Sequence, residues 1–221
     1  SEMVINGKII KEGGSLSLNG STGEIFEGTI KTIDPELSGD FGKLMDLAGQ
    51  YARMTVRTNA DTPHDSHVAR EFGAMGIGLC RTEHMFFEGE KIIAMREMIL
   101  AKDKKGREKA LKKLLPIQQK DFEGIFEAMD GLPVTVRLLD PPLHEFVPHD
   151  EKGQQKMADV MNVSIDVIKE KVEDLSEFNP MLGHRGCRLG NTYPEITIMQ
   201  TRAIMSAALA LKKRGDRKSV V

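Results

Sequence analysis

The stretch Gly76-Ile77-Gly78-Leu79-Cys80-Arg81-Thr82-Glu83-His84-Met85-Phe86-Phe87 decides the fold of this chain. It begins as an apolar, glycine-punctuated run of strand length and then places Arg81, Thr82 and Glu83 where the apolar character ends. Such a run is typical of a buried parallel strand, whose carboxyl end is where α/β folds bring ligand contacts. An arginine there is costly to desolvate unless an anion or a carboxylate meets it. The stretch therefore predicts either an anion site or a structural Arg–Glu pair.

Strands and helices alternate on both sides of this stretch. A strand is predicted over Met54 to Thr58, and the next helix has Thr62 as its cap, Pro63 as its first residue and Gly76 as its end. A third strand covers 133–140, and the two prolines after it make 143–148 a loop. Apolar spacing predicts further helices at 92–99, 104–115 (ended by Pro116), 122–129, 157–175 (in two pieces, with Ser164 as the cap between them) and 193–213. This alternation predicts an α/β fold with adjacent parallel strands.

The first 53 residues have a different pattern. Asn6-Gly7 predicts a β-hairpin, and the turn at Asn19 to Gly23 leads into another short strand. Residues 1–30 hold too little apolar sequence for a core of their own, so they are predicted to be the end of a domain. Residues 31–53 are predicted to be a linker that becomes a helix.

Composition narrows the class of protein. The chain has 221 residues, of which 40% are hydrophobic and 29% are charged, with a net charge of −2. These values fit one large or two smaller globular domains and give no argument for binding nucleic acid or an anionic membrane. Without an apolar run of membrane length or a secretory signal, a cytoplasmic location is expected, with Cys80 and Cys187 as reduced thiols. His64 and His67 have no nearby partners that would complete a zinc site.

Three arginines recur at strand ends or glycine-rich turns: Arg81, Arg137 and Arg185. Each guanidinium can grip a carboxylate or phosphate with two parallel hydrogen bonds. If the strands are parallel neighbours, their carboxyl ends share one rim, and these arginines form a site for a small, multiply charged anion. Arg57 and Asn59, near the end of the first strand, are candidates for the same rim.

A second interpretation stays open. Arg81–Glu83 and Arg137–Asp140 could be local ion pairs that only hold loops in place. Sequence motifs do not decide the ligand, because neither a dinucleotide fingerprint nor a Walker motif is present. Two other arginines, Arg188 and Arg202, are interpreted as structural.

Four segments closely resemble the pyruvate phosphate dikinase family of phosphoenolpyruvate-utilising enzymes. The similarity is spread over nearly the whole chain. Enzyme I of the sugar phosphotransferase system and phosphoenolpyruvate synthase share the arginine positions but are less similar around Cys80 and 141–146. The matching segments are Val56-Arg57-Thr58-Asn59-Ala60-Asp61-Thr62-Pro63, 76–87, Arg137-Leu138-Leu139-Asp140-Pro141-Pro142-Leu143-His144-Glu145-Phe146-Val147-Pro148 and Asn179-Pro180-Met181-Leu182-Gly183-His184-Arg185-Gly186-Cys187-Arg188-Leu189.

The resemblance implies a phosphotransferase that interconverts ATP, pyruvate and phosphate with AMP, phosphoenolpyruvate and diphosphate. In that family a histidine on a swivelling domain carries the phosphoryl group to pyruvate at a (β/α)₈ barrel. By resemblance, residues 1–30 are the last strands of the phosphohistidine domain and 31–53 are a linker helix. Residues 54–221 are then an incomplete barrel of three or four strands. Arg81 and Arg137 would hold the phosphoryl group and carboxylate of phosphoenolpyruvate, with Arg185 as a third active-site arginine.

Departures from the family set limits on this expectation. The phosphohistidine motif, the nucleotide-binding domain, the acidic Mg²⁺ ligands and the family's acid/base cysteine have no counterpart in the sequence. His67 belongs to a helix and lacks the motif around the carrier histidine, and neither Cys80 nor Cys187 matches the family's cysteine. A fragment without catalytic or metal-binding residues, inactive alone, is therefore expected.

The expected partners follow from the same resemblance. They are phosphoenolpyruvate or pyruvate, the rest of the barrel and the phosphohistidine domain. An open half barrel also favours self-association or a homodimer, because it leaves a sheet edge and apolar surface exposed. The alternative is a non-catalytic anion-binding or assembly module derived from phosphoenolpyruvate synthase or enzyme I.

Overall fold

The computed structural model describes residues 2–32, 38–87, 89–176 and 178–215. The chain divides into two compact units, Ser1–Ala52 and Arg53–Val221. Throughout the described ranges, every helix is too short or too polar to cross a membrane.

The first unit contains two antiparallel hairpins and one helix. Its elements are β1 (Glu2–Ile5), β2 (Lys8–Lys11), β3 (Leu16–Asn19), β4 (Glu24–Glu27) and α1 (Gly39–Tyr51). The predicted Asn-Gly hairpin is confirmed: Asn6 and Gly7 have φ values of 49° and 79°, which a type I′ turn requires. Helix α1 buries none of its residues. A helix is thus present within the predicted 31–53 segment, although 33–37 lie outside the described residues.

The second unit alternates strands and helices, as the sequence predicts. Among its described residues, β5 (Thr58–Asn59), β6 (Ile77–Arg81) and β7 (Val134–Arg137) form one parallel sheet in that order. Short 3-10 turns follow β6 and β7, at Thr82–Phe86 and Leu143–Glu145. The remaining elements are α2 (Pro63–Glu71), α3 (Lys91–Leu100), α4 (Lys104–Ala128), α5 (Glu151–Met161), α6 (Ile165–Asp174), α7 (Gly186–Thr192) and α8 (Pro194–Arg214).

Helix α2 begins as predicted but ends earlier. The Thr62 hydroxyl accepts the backbone N–H of Asp65 at 3.1 Å, and Pro63 is the first helical residue. The predicted end at Gly76 is wrong, because the helix stops at Glu71 and Gly73 follows with a φ of 83°.

Helix α4 is one continuous helix, so the prediction of two helices separated at Pro116 is wrong. Pro116 cannot donate to the carbonyl of Lys112, but both residues are exposed, so water can reach that carbonyl. Buried residues on both sides of the proline anchor the helix, and the two halves pack into different apolar clusters: Ala110, Leu111 and Leu114 before the proline, and Phe122, Ile125 and Phe126 after it.

The core of the second unit has two apolar clusters. One joins the strands to α4 and α8, with Ile77 and Val134 against Phe126 and Ala203. The other lies among α3, α4, α5 and α6 and contains Met98, Phe146 and Ile168. Helices α4 and α8 thus cover the parallel sheet and leave the carboxyl ends of its strands to the loops that carry the candidate site.

Candidate anion-binding rim

Arg81 and Arg137 are the last residues of neighbouring parallel strands and lie opposite each other in the strand register. Their side chains therefore start from adjacent points on the carboxyl edge of the sheet, where the sequence places them. We call the carboxyl ends of β6 and β7, with the loops that follow them, the rim.

The backbone of Arg81 is held by Asp61. Its N–H donates to Asp61 Oδ1, and Asp61 Oδ2 lies 2.8 Å from His84 Nδ1. Within the described residues, no hydrogen bond or ion pair reaches the Arg81 guanidinium, and the residue is half-buried. The Arg81–Glu83 pair considered from the sequence is therefore not formed.

Arg137 is the arginine that binds Glu83. Its Nη2 donates to Glu83 Oε1, and its Nη1 lies 3.3 Å from Asp140 Oδ2. Glu83 is 3% exposed, so the guanidinium compensates a nearly buried carboxylate. In the part of the chain that the structure describes, Arg137 Nε and Glu83 Oε2 are buried without a hydrogen-bond partner.

Arg185 reaches the rim from the residue before α7. Its Nη2 donates to Asp140 Oδ2, and this hydrogen bond raises the pKa of Arg185 above its usual value, so the guanidinium stays charged. The next residue, Gly186, donates its N–H to the Asp140 carbonyl at 3.0 Å. Asp140 therefore joins Arg185 to Arg137, and the strand register joins Arg137 to Arg81.

No role was predicted from the sequence for Thr82, on the rim, or for Gln200, on α8. The Gln200 amide donates from Nε2 to Thr82 Oγ1 at 3.0 Å and accepts the Leu139 N–H at 2.8 Å. The Thr82 hydroxyl donates in turn to the Arg137 carbonyl at 2.9 Å. Gln200 could have been found as an amide on the otherwise apolar stripe of α8.

The remaining candidates are placed less centrally. Arg57 is exposed and precedes β5, so its predicted position at the carboxyl end of that strand is wrong, whereas Asn59 ends β5. Arg188 donates to the Gly183 carbonyl at 3.0 Å, and Arg202 is exposed on α8.

The thiols have different environments. Both cysteines are free; Cys80 is buried and Cys187 is exposed. Burial, with the charges of Asp61 and Glu83, raises the pKa of Cys80 to about 12, so this thiol stays protonated near neutral pH.

A metal site is not evident at the rim. Across the ranges that the structure describes, His, Cys, Asp and Glu side chains form no group of three or more that could hold a metal ion. On the rim, Glu83 and Asp140 bind guanidinium groups, and nearby Asp61 contacts the Arg81 N–H and His84. The rim as built is therefore suited to anions.

An α/β domain that presents guanidinium groups at the carboxyl ends of its strands has the chemistry suited to binding a small anion. Residues 35–214 match the family model described as PEP-utilising enzyme, PEP-binding domain. The chain belongs to this family.

Curated relatives agree with the family. The chain is 56% identical over 213 residues to pyruvate, phosphate dikinase of Giardia intestinalis, covering 96% of this chain and 24% of that protein. It is 54% identical over 210 residues to that of Rhizobium meliloti, covering 95% of this chain and 23% of the relative. With the chloroplastic dikinase of Flaveria pringlei it shares 54% identity over 216 residues, 96% of this chain and 23% of the relative. The chain thus spans about a quarter of the length of the curated relatives it matches.

Proposed function

We propose that this chain supplies the surface that binds phosphoenolpyruvate and pyruvate in a pyruvate, phosphate dikinase. The observation that carries the proposal is that Arg81 and Arg137 lie opposite each other in the strand register, at the carboxyl ends of neighbouring parallel strands. Family membership and the names of the relatives support the choice of ligand.

The chemistry of the ligand fits this arrangement. Phosphoenolpyruvate carries a carboxylate and a phosphoryl group, and phosphoryl transfer requires fixed positive charge where the moving group sits. Arg81 has no described carboxylate partner, so its donors are available to an incoming anion. Arg137 and Arg185 are held in place by Glu83 and Asp140, which limits the freedom that ligand binding would remove.

The rest of the dikinase reaction is proposed for a longer enzyme. There the parallel strands would be the first strands of a (β/α)₈ barrel, with residues 1–30 as part of the phosphohistidine domain and 31–53 as the linker. Mg²⁺ serves phosphoryl transfer by neutralising phosphate charge. Glu83 and Asp140 each bind a guanidinium through one oxygen, and the described His, Cys, Asp and Glu side chains form no group of three or more that could hold Mg²⁺. We therefore assign no step of the reaction to a metal on this rim.

Calorimetric titration of the chain with phosphoenolpyruvate tests the proposal. Arg81→Lys and Arg137→Lys should each weaken binding by about 10- to 100-fold, because a charge-assisted hydrogen bond contributes roughly 1.5–3 kcal/mol. Lysine keeps the charge but cannot reproduce the planar two-donor grip. Arg202→Lys, on the exposed part of α8, is the control and should bind like the unchanged chain.

If the arginines serve only as local ion pairs, the result differs. Arg137→Lys would then lower the melting temperature without weakening the binding of phosphoenolpyruvate, and Arg81→Lys would change neither. That outcome, or a lack of binding by the unchanged chain, would contradict the proposed function.

A further inference from the structure

Gln200 is a buried amide that ties one helix to both loops of the rim. It is 1% exposed and lies on α8, yet its hydrogen bonds go to Thr82 and Leu139, which are 118 and 61 residues away in sequence. Thr82 directly follows Arg81, and Leu139 lies between Arg137 and Asp140. One side chain therefore contacts both loops that present the arginines.

The hydrogen bonds run in series from Leu139 through Gln200 and Thr82 to Arg137, and the groups at the two ends fix the direction of each one. The Leu139 N–H can only donate, so it requires the Gln200 oxygen, and this places the Gln200 NH₂ against the Thr82 hydroxyl. The Arg137 carbonyl can only accept, so the hydroxyl donates to it and must accept from Gln200. A flipped amide, with its oxygen and nitrogen exchanged, does not satisfy the same partners.

Replacing the amide would leave the Leu139 N–H without its partner and would remove one of the two hydrogen bonds of the Thr82 hydroxyl. Thr82 is fully buried and Leu139 is 5% exposed, so water does not readily replace the lost hydrogen bonds. The backbone of the two loops would shift to find new partners, and the arginines would move with it.

We propose that Gln200 is a positioning residue: through Thr82 and Leu139 it sets the spacing and orientation of Arg81 and Arg137 on the rim. This inference rests on the proposed function for its ligand, phosphoenolpyruvate. It assigns Gln200 no contact with that ligand.

The first test is a double-mutant cycle on the affinity of the chain for phosphoenolpyruvate, measured by calorimetry. Gln200→Met keeps the length of the side chain, and Thr82→Val keeps the shape of the threonine, while both remove the hydrogen bonds. Each should weaken binding on the order of 10-fold or more, since small displacements of binding groups are costly. Because both substitutions break the same series of hydrogen bonds, their effects should not add. The double variant should bind phosphoenolpyruvate no more weakly than the weaker-binding single variant, to within about 2-fold.

Gln154→Met is the matched control. Gln154 is also a buried helical glutamine, 8% exposed, but it donates to the carbonyl of Pro148, at the end of the loop next to α5, and contacts neither Thr82 nor Leu139. Its variant should lose stability in urea like Gln200→Met and keep the affinity of the unchanged chain. Equal losses of affinity in both glutamine variants would reduce Gln200 to a stability residue and overturn the inference.

A second measurement needs no ligand. In NMR spectra of the free chain, Gln200→Met should shift the Nε–H signal of Arg137 and expose the Leu139 amide to hydrogen exchange at least about 10-fold faster, since a lost hydrogen bond of about 1.4 kcal/mol gives that factor. Gln154→Met should leave both signals in place. If the Arg137 signal does not move in Gln200→Met, the positioning role is wrong.

The two measurements separate the inference from the proposed function. Should the unchanged chain bind no phosphoenolpyruvate while the Arg137 and Leu139 signals move as expected, the proposed function fails and the positioning role of Gln200 stands. Should phosphoenolpyruvate bind equally well to the unchanged chain and to Gln200→Met, the inference fails and the proposed function stands.

Discussion

Gly76 lies where the two strands that carry Arg81 and Arg137 approach each other at their amino ends. Its φ of 147° is in a region that side chains rarely allow, and a Cβ built on it would lie 2.7 Å from the Pro133 carbonyl oxygen. That oxygen accepts the Ile77 N–H at 2.8 Å, so it is part of the contact between β6 and β7. Gly76→Ala therefore perturbs the sheet beneath the rim directly.

The expected cost has two parts. The backbone conformation alone costs an alanine about 1–3 kcal/mol. The carbonyl of Pro133 must also move, because Cβ atoms essentially never come within 3.0 Å of another atom, and this strains a hydrogen bond of about 1 kcal/mol and the packing around it. We expect Gly76→Ala to lower the free energy of unfolding by about 3–5 kcal/mol.

Gly131 provides the matched control. Its φ of 78° is also positive, but a Cβ there would meet nothing within 4 Å. Gly131→Ala should cost only the backbone part, about 1–2 kcal/mol.

The assay is thermal unfolding of the chain followed by circular dichroism at a helical wavelength. With about 2–4 °C per kcal/mol for a domain of this size, Gly76→Ala should melt roughly 6–20 °C lower, and clearly below Gly131→Ala. Equal melting temperatures for the two variants would show that the close approach of Pro133 contributes nothing, and would refute this reasoning.

Two further predictions concern helices α4 and α8. Pro116→Ala should raise the free energy of unfolding in urea by about 1–3 kcal/mol, because proline is disfavoured inside a helix; no change would mean that the chain is not helical there. Ile198, Met205 and Leu209 form an exposed apolar line on α8, so the chain should self-associate in size-exclusion chromatography with light scattering. Met205→Lys with Leu209→Lys should shift it toward monomer, and a monomeric unchanged chain at high concentration would contradict the prediction.

Local signals in the sequence predicted local structure well. The Asn6-Gly7 hairpin and the Thr62-Pro63 helix start depend on residues within one turn, and both are confirmed. Pro116 shows where local rules fail. Proline opposes a helix by about 3 kcal/mol, yet the burial of apolar residues on either side outweighs that penalty. A sequence window contains the penalty but not the packing that exceeds it.

The rim shows the same division between local and distant information. The position of Arg81 and Arg137 at strand ends could be predicted, because it follows from where two apolar runs stop. The partner of Glu83 could not, because Arg137 is 54 residues away and meets it only through the register of β6 and β7. The sequence could single out Gln200 as an amide on an apolar stripe, but not its partners, because Thr82 and Leu139 belong to other elements.

The two interpretations that the sequence left open need not exclude each other. Arg137 forms the ion pair with Asp140 that the structural interpretation expects and a second one with Glu83, and Arg185 shares Asp140 with it. Arg81, whose guanidinium lacks a described partner, is the arginine that the structural interpretation does not explain. A guanidinium has five donors, and each Nη of Arg137 keeps a second N–H besides the one that faces a carboxylate, so an anion can approach it without breaking both pairs. The carboxylates then act as supports that hold two arginines in place beside a third, and the contribution of Arg81 to anion affinity should exceed its contribution to stability.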